Sequence, residues 1–333
     1  KQKKITGLKA GFFCPQSTII CRVEKKLIVT IMGPTAIGKT DLAMQLSDKM
    51  PVKIISVDSV QIYKFLDIGS GKPNPDTLKA YPHDLVDILE PQENYSTARF
   101  QKDCIRSIKD AFESNKLPIL VGGTMMYFDH LIHGISNLPS VEKELRIDLE
   151  NEFSLNGNEK MHKYLSEIDE ESAAKIHKND TQRIKRAIEV FKATGKKFSE
   201  LQKQHQKVID KTISSSNLLQ FAIRPDDKNL HREKIALRFK KMIEEGLVQE
   251  VENILNLEGM SKESQSMKSV GYRQVCEFLD GEVSLDVMIT KAINSTRQLS
   301  KRQMTWLKSW QNINFLETQP NLSQIVQDFI TRH

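Results

Sequence analysis

The chain has 333 residues, of which 39% are hydrophobic and 28% are charged, and its formal net charge is +6. This length and composition favour a soluble, folded chain with one large or two medium domains. No apolar stretch reaches the length of a membrane helix, so we expect no membrane association and a cytoplasmic protein. The positive charge is compatible with a polyanionic partner.

Residues 1–24 carry five Lys or Arg residues against one acidic residue, and their apolar residues come in short broken runs. A secretory signal needs a longer apolar segment and a small-residue cleavage site, so this class is disfavoured. We interpret the segment as a flexible N-terminal extension ahead of the first strand. An organellar targeting segment is the alternative, because the leader is basic and poor in acidic residues.

The first motif is GPTAIGKT, which has the G-x-x-x-x-G-K-T spacing of a phosphate-binding loop. It follows an apolar run at 27–32 and leads into a helical pattern over 41–50. Backbone N–H groups and the helix dipole surround phosphate oxygens in such a loop. Lys39 is expected at the terminal phosphates, and the Thr40 hydroxyl at Mg²⁺. The loop residues expected to hold a diphosphate are Gly33, Pro34, Thr35, Ala36, Ile37, Gly38, Lys39 and Thr40.

Short apolar or β-branched runs alternate with helical patterns along most of the chain, which is typical of a parallel sheet with crossover helices. The strands are predicted at 27–32, 53–57, 84–89, 118–122, 218–223 and 312–316. Between them, helices are predicted at 96–114, from 123 to about 133, at 227–245 and at 285–310.

The strand pattern disappears between residues 137 and 212, where only helical patterns follow one another. These lie at 141–153, 160–168, 170–177 and 181–193, and Gly195 ends the last of them. We therefore predict an α/β core, formed by 25–136 and 213–333, that is interrupted by an all-helical insertion domain at 137–212.

The segment SVDSVQIY (56–63) follows the second predicted strand. Ligands of open α/β sheets lie beyond the carboxyl ends of the strands, so we expect Asp58 and Ser59 to face the same crevice as the phosphate loop. A carboxylate beside bound phosphate and Mg²⁺ suits a general base or a metal-shell acceptor. A capping role at the turn is the alternative.

The segment VGGTMMYF (121–128) contains the end of another predicted strand, the one at 118–122. Gly122 and Gly123 end a buried strand and Thr124 begins a helix, so another helix N-terminus is expected at the mouth of the crevice. Packing alone is the alternative explanation for the glycines. No hydrophobic strand ends in the Asp with which P-loop NTPases hold Mg²⁺, although Asp58 is a candidate to replace it.

Three segments combine Lys and Arg with Gln and aromatic residues, at 179–191, 268–274 and 295–310. Phosphate contacts and base stacking require these residue types. Each segment alone is also explained as a solvated helix face. Three of them in one basic chain favour a nucleic-acid partner.

The cysteines and histidines indicate neither a metal site nor a disulfide framework. The four cysteines are scattered without a C-x-x-C pair, at Cys14, Cys21, Cys104 and Cys276. His130 and His133 lie three residues apart on a predicted helix. Because no third ligand accompanies them, we interpret both histidines as packing or surface residues.

Together with LDIGSGKP (66–73), PHDLVDI (82–88) and YSTARF (95–100), these motifs resemble the tRNA dimethylallyltransferase (isopentenyltransferase) family. They occur in the family's order over about 26–318. The bacterial form fits better, because the chain has no counterpart of the C-terminal zinc finger of many eukaryotic members. The resemblance implies a P-loop NTPase-like core with a helical tRNA-binding insertion.

The resemblance also implies a reaction, in which a dimethylallyl group moves from dimethylallyl diphosphate to N6 of the adenosine just 3′ of a tRNA anticodon. A monomeric enzyme with Mg²⁺ is expected. Lys39, Thr40 and Arg238 are expected at the leaving diphosphate, and Asp58 is expected to accept the N6 proton. The residues that match the family's tRNA contacts are Asp58, Ser59, Val60, Gln61, Thr124, Arg146, Gln182, Arg183, Arg186, Lys268, Gly271, Tyr272, Arg273, Lys301, Arg302, Gln303, Thr305, Trp306 and Lys308.

Two other functions account for part of the pattern. A P-loop kinase of a small metabolite or nucleoside shares the loop and an Asp after the second strand. It does not account for KRQMTWLKSW (301–310) or for the helical insertion. A nucleotide-driven RNA-binding switch without catalysis accounts for the basic helices, but not for Asp58 in the crevice.

Overall fold

The computed structural model describes residues 26–136, 141–204 and 207–332. The predicted N-terminal extension, with Cys14 and Cys21, lies outside these ranges. A six-stranded sheet has the order β3–β2–β4–β1–β7–β8, and a separate ribbon pairs β5 with β6. The strands are β1 (Leu27–Met32), β2 (Val52–Val57), β3 (His83–Asp84), β4 (Leu117–Gly122), β5 (Ile135–Ser136), β6 (Lys207–Val208), β7 (Asn217–Arg224) and β8 (Asn314–Glu317).

All pairings in the six-stranded sheet are parallel. In the central strand β1, Val29 is opposite both Ile119 and Leu219. Helices cover both faces, and they are α1 (Lys39–Ser47), α2 (Pro75–Ala80), α3 (Thr97–Glu113), α4 (Met125–His133), α5 (Lys143–Ile168), α6 (Glu170–Lys175), α7 (Thr181–Thr194), α8 (Phe198–Gln204), α9 (Lys211–Ser214), α10 (Lys228–Glu244), α11 (Leu247–Leu255), α12 (Tyr272–Leu279), α13 (Leu285–Lys308) and α14 (Leu322–Thr331). Within the described ranges, none of these helices has the length and apolar character that a bilayer crossing needs.

The core divides at the sheet, because alternate residues of a strand point to opposite faces. Val29 and Ile31 pack in the smaller cluster, with residues of α1 and α14. Ile28 and Met32 belong to the larger cluster, which includes residues of α3, α4 and α10 to α13. A strand that is buried on both faces is a continuous apolar run, and this is why β1 is recognisable in the sequence.

The prediction of a strand over 84–89 is wrong beyond Asp84. Leu85 (φ 64°) and Asp87 (φ 55°) adopt left-handed backbone conformations that end the ladder. The carboxylate of Asp87 forms an ion pair with Lys72, from a loop earlier in the chain. The chain returns to the sheet only at Leu89, which forms an isolated bridge with Tyr63.

The insertion is built from α5 to α8 around its own core, which includes Leu149, Leu165 and Ile188. Helix α5 is interrupted at Gly157 (φ 70°), inside the break predicted between two helices. The chain enters through β5 and leaves through β6, where Ile135 is opposite Val208. The described part of the range predicted as entirely helical thus contains the short strand β6, since a two-residue strand has no periodicity that a sequence pattern could show.

Asp169 joins two helices of the insertion. Its carboxylate is 1% exposed and accepts hydrogen bonds from the backbone N and Oγ of Ser172 (3.1 and 2.6 Å) and of Ser199 (2.8 and 2.7 Å). Burial raises the pKa of this carboxyl, but the four hydrogen bonds outweigh burial and leave the pKa below its ordinary value.

We predict that Asp169→Asn lowers the free energy of unfolding by about 2–4 kcal/mol at pH 7, because an amide group replaces an acceptor that faces four donors. Since the folded-state pKa is lowered, the contribution of Asp169 is present above its unfolded pKa and is lost as pH falls through the folded value. Urea unfolding at several pH values measures both effects. The free energies of unfolding of the variant and the wild type converge at acid pH.

The control is Glu167→Gln, on the exposed side of α5, for which a change within about 0.5 kcal/mol is expected. Equal stability of Asp169→Asn and wild type at pH 7 contradicts the role of Asp169.

Candidate active site

The predicted phosphate-binding loop connects the end of β1 to the start of α1. Gly38, with φ 89°, is the N-cap of α1, and Ala36 also has a positive φ of 60°. A Cβ at Gly33 would lie 2.9 Å from the carbonyl oxygen of Ile223 on β7. The loop therefore packs tightly on the neighbouring strand and directs the N-terminus of α1 at the cavity above, as an anion site requires.

Lys39 extends back over the loop, where its Nζ donates to the carbonyl oxygen of Pro34 at 2.7 Å. Burial lowers the pKa of Lys39 to about 8, while the carboxylate of Asp58 opposes the shift and Arg238 adds to it. A bound anion compensates such a desolvated ammonium group. The electrostatics at Lys39 therefore favour a phosphate-like ligand.

Two cavities meet at this edge of the sheet. The first, of about 530 Å³, is lined by the loop from Thr35 to Thr40 and by further polar groups. The second, of about 350 Å³, has apolar walls. Residues common to both linings are Thr35, Ala36, Asp58, Ser70, Gly123, Arg238 and Gln303. The site thus has a polar part and an apolar part with Asp58 between them.

Asp58 follows β2, and one of its oxygens is held by the next turn. Oδ1 accepts the backbone N–H groups of Val60 (2.8 Å) and Gln61 (3.2 Å). The neighbouring N–H of Ser59 donates to Oγ1 of Thr124 at 3.2 Å. Asp58 therefore has the capping role considered above and also lines both cavities, so that its carboxylate is oriented by the turn that it caps.

Arg238 lies between the cavities, beside the backbone of the 66–71 loop. A Cβ at Gly71, which has a positive φ of 61°, would be 1.6 Å from an Nη of Arg238, so a side chain there would displace the guanidinium. Burial lowers the pKa of Arg238, and the carboxylates of Asp58 and Asp41 oppose the shift. Arg238 is thus a half-buried cation that lines both cavities, and its contact with a diphosphate stays a prediction.

Gln303, predicted as a tRNA contact, lies inside the protein and connects two loops. Its Oε1 accepts the N–H of Thr35 (3.0 Å), and its Nε2 donates to the carbonyl oxygen of Gly123 (2.8 Å). A Cβ at Gly123 would lie 2.5 Å from that Nε2. The geometry therefore gives Gln303 a bracing function between the phosphate loop and the turn after β4.

The remaining predicted tRNA contacts fall into three places. Beside the apolar cavity lie Ser59, Val60, Thr124, Arg302 and Trp306, and Gln61 lines the polar one. The insertion carries Arg146, Gln182, Arg183 and Arg186, the last of which pairs with Glu189 at 3.3 Å. Outside both cavities, Lys268, Arg273, Lys301, Thr305 and Lys308 are exposed, while Gly271 and Tyr272 are buried.

The apolar wall of the second cavity is a feature that sequence analysis missed. It consists mainly of Ile235, Phe239 and Met242 on α10, together with Leu299, Val270 and Met125. The spacing of the three α10 residues is that of any core-facing helix stripe, so the pattern does not distinguish a cavity wall from ordinary packing.

A metal ion in the polar cavity has few protein ligands available. Among the described residues, no group of three or more His, Cys, Asp or Glu side chains is placed to hold a cation. Thr40, Asp41 and Asp58 do line the polar cavity. Oxygen ligands of this kind, completed by phosphate and water oxygens, fit Mg²⁺.

A parallel sheet with a phosphate-binding loop, flanking helices and a helical insertion has the architecture of a P-loop NTPase-like enzyme. The family model for IPP transferase matches residues 61–310. The chain therefore belongs to the IPP transferase family.

Solved structures agree with this assignment. The tRNA isopentenylpyrophosphate transferase of Bacillus halodurans is 31% identical, with a TM-score of 0.67 over 93% of this chain and 96% of that one. The Staphylococcus epidermidis enzyme of the same name is 30% identical, with a TM-score of 0.64 over 93% and 100%. A eukaryotic dimethylallyltransferase acting on tRNA is 25% identical, with a TM-score of 0.74 over 92% and 80%.

We predict that Gln303→Ala lowers the free energy of unfolding by about 1–3 kcal/mol, because a partly buried N–H and a buried carbonyl lose their partner. The phosphate loop also loses its brace, so the affinity for pyrophosphate falls. Denaturant unfolding and calorimetric titration measure the two effects. Gln298→Ala, on an exposed part of the same helix, is the control, and identical behaviour of the two variants contradicts the bracing role.

Proposed function

We propose that this enzyme transfers a dimethylallyl group from dimethylallyl diphosphate to N6 of the adenosine just 3′ of a tRNA anticodon and releases diphosphate. The observation that carries the proposal is the position of Asp58, at the junction of a polar cavity around the phosphate loop and an apolar cavity beside it. Family membership and the tRNA transferases named above support prenyl transfer over phosphoryl transfer.

The polar cavity holds the diphosphate in this proposal. Backbone N–H groups at the start of α1, the Lys39 ammonium and the Arg238 guanidinium supply positive charge to it. Negative charge grows on the diphosphate as the allylic C–O bond lengthens, so fixed donors there stabilise the transition state. Thr40 would hold Mg²⁺ in this cavity, and the ion would supply Lewis-acid stabilisation of the same leaving group.

The apolar cavity receives the dimethylallyl group and the acceptor base. Its walls include Phe239, Met242 and Leu299, which provide an apolar surface for the allylic group. Positive charge on that carbon is delocalised over the allyl system, and exclusion of water protects it from hydrolysis. The target base leaves its stack to enter this cavity, as bases in other nucleic-acid-modifying enzymes do.

Asp58 accepts the proton that N6 loses as it attacks. An adenine amino group is a poor nucleophile, so orientation and proton removal both contribute to the rate. The bonds from the Val60 and Gln61 amides fix one carboxylate oxygen. The atoms balance, because N6 gains the carbon, the carboxylate gains the proton, and the C–O electron pair leaves with the diphosphate.

The tRNA lies over the mouth of the apolar cavity. Arg302 and Trp306 of α13 line this mouth, and Trp306 is 39% exposed. A partly exposed indole beside a guanidinium provides base stacking and a phosphate contact. Exposed cations of the insertion and of α13 extend the basic surface. We propose a monomeric enzyme, in which a single chain supplies the phosphate loop, Asp58 and the tRNA-binding residues.

The direct test of the proposed function is product analysis. The full chain is incubated with dimethylallyl diphosphate, Mg²⁺ and unmodified tRNA, and the digested RNA is examined by mass spectrometry. N6-dimethylallyladenosine is expected, and Lys39→Ala is expected to lose most of it. Phosphorylation of a nucleoside by ATP, without any RNA product, contradicts the proposal.

We predict that Asp58→Asn lowers the turnover number by about 10²–10⁴-fold with little change in tRNA affinity, because the amide retains the turn but cannot accept the proton. Asp58→Ala removes the turn as well and gives a reference for structural damage. Single-turnover kinetics with saturating substrates separate chemistry from binding. Near-normal turnover of Asp58→Asn removes this residue from the chemistry.

We predict that Arg302→Ala weakens tRNA binding and lowers the slope of log affinity against log salt by about one, the loss of one phosphate contact. Filter binding between low and moderate salt measures the slope. Lys291→Ala removes the same charge near the other end of α13, where Lys291 pairs with Glu277, and it should keep the wild-type slope. The same slope in Arg302→Ala and wild type rules out that contact.

A further inference from the structure

A glutamate that lines neither cavity holds the loop that lies against Arg238. Glu250, on α11, accepts the N–H groups of Asp67 (3.0 Å), Ile68 (2.6 Å) and Gly69 (3.1 Å). Three consecutive amides that converge on one carboxylate form the kind of concave anion site that usually binds phosphate. Here the anion is supplied by the protein, 181 to 183 residues away in the chain.

Tyr272 extends this arrangement to a fourth amide. Its hydroxyl donates to Oε1 of Glu250 (2.7 Å) and accepts the N–H of Ser70 (3.1 Å). A Cβ at Gly69 would be 2.6 Å from the Tyr272 ring, so the loop lies directly on that ring. Burial and the Glu250 carboxylate raise the pKa of Tyr272 well above its ordinary value, which keeps the hydroxyl protonated and able to donate.

The same loop defines the position of Arg238. Directly after the four held amides comes Gly71, with φ 61°, where even a methyl group would overlap the guanidinium. Its carbonyl oxygen accepts a hydrogen bond from Gln61 (3.4 Å). Ser70 lines both cavities, and Gly71 lines the polar one. A displacement of this backbone therefore moves the surface on which Arg238 rests.

The loop is anchored separately at its other end. Lys72, whose side chain is 2% exposed, forms ion pairs with Asp67 and Asp87, and its Nζ donates to the carbonyl oxygen of Tyr63 at 3.0 Å. Loss of Glu250 therefore releases the middle of the loop while its end stays in place. A local change in the site, with the fold retained, is the expected result.

We propose that Glu250, with Tyr272, is a positioning residue for the diphosphate: it fixes residues 67–71 so that Arg238 is held against the ligand. Glu250 lines neither of the two cavities but a third one on the other side of the loop, so it acts through Arg238 without touching the substrate. This inference rests on the proposed function in one respect, the contact between Arg238 and the diphosphate.

The test compares the ligand affinities of Glu250→Gln with those of the wild type. In this variant an amide NH₂, itself a donor, faces the loop N–H groups and the Tyr272 hydroxyl, which are also donors. We expect the dissociation constant of Mg²⁺–pyrophosphate and the KM of dimethylallyl diphosphate to rise about 10- to 100-fold, as for other small displacements of a binding group. The KM of tRNA stays unchanged. Tyr272→Phe, which keeps the ring that supports Gly69, shifts the same constants in the same direction by a smaller factor.

The matched control is Glu252→Gln, the same chemical change two residues further along α11, where the side chain takes no part in the contacts with the loop. It should bind pyrophosphate like wild type. The double variant Glu250→Gln with Arg238→Ala should bind pyrophosphate no more weakly than Arg238→Ala alone, because both changes remove the same interaction.

Three results overturn the inference. The first is that folded Glu250→Gln and Tyr272→Phe both bind pyrophosphate with wild-type affinity. The second is that the loss of pyrophosphate affinity in Glu250→Gln adds in full to the loss in Arg238→Ala. The third is an equal rise of both KM values, which indicates general structural damage. If Arg238→Ala itself binds pyrophosphate normally, the proposed diphosphate contact fails together with this inference, whereas failure of Glu250→Gln alone leaves that contact intact.

Discussion

The site depends on one constraint: the carboxyl ends of β1, β2 and β4 meet at the same edge of a parallel sheet. Each strand ends in a turn that contributes one component, the phosphate loop, Asp58 and the Gly123 turn. A parallel sheet brings such turns close together in space although they are far apart in the sequence. The side chain of Gln303 then links two of the turns by hydrogen bonds from a helix near the C-terminus.

The division of the site into a polar and an apolar part explains how one loop type serves a different chemistry here. In a phosphoryl transfer the bond that breaks lies between phosphorus and oxygen, and the acceptor approaches the phosphate. In this enzyme the apolar walls from α10 and α13 adjoin the phosphate loop. In the proposed function, the allylic group occupies that side, and Lys39 and Arg238 retain the diphosphate as a leaving group.

Local features of the sequence predict a large part of this structure. The phosphate loop, the buried strands and the break between residues 153 and 160 follow from glycine spacing and apolar periodicity, which depend on neighbouring residues only. Long-range pairings do not follow from such patterns. The strand β3 ends where Leu85 and Asp87 adopt positive φ, and Asp87 pairs with Lys72 from an earlier loop. The strand β6 is defined by its pairing with β5, in which Val208 is opposite Ile135.

The same limit applies to the site residues. Asp58 and the loop are recognisable from motif and position, whereas Gln303 resembles one more polar residue on a basic helix until the fold brings it to Thr35. Glu250 likewise matches the solvated face of an amphipathic helix, and its partners are three backbone amides and a buried tyrosine that no side-chain pattern reveals.

Carbon–oxygen cleavage at a diphosphate held by the phosphate loop is the central claim, and isotope labelling tests it most directly. Dimethylallyl diphosphate with ¹⁸O in the bridging position between carbon and phosphorus is converted with tRNA, and both products are analysed by mass spectrometry. The account predicts that all of the label appears in the released pyrophosphate and that the adenosine carries the dimethylallyl group. Label retained in dimethylallyl alcohol, which requires phosphorus–oxygen cleavage, would contradict it.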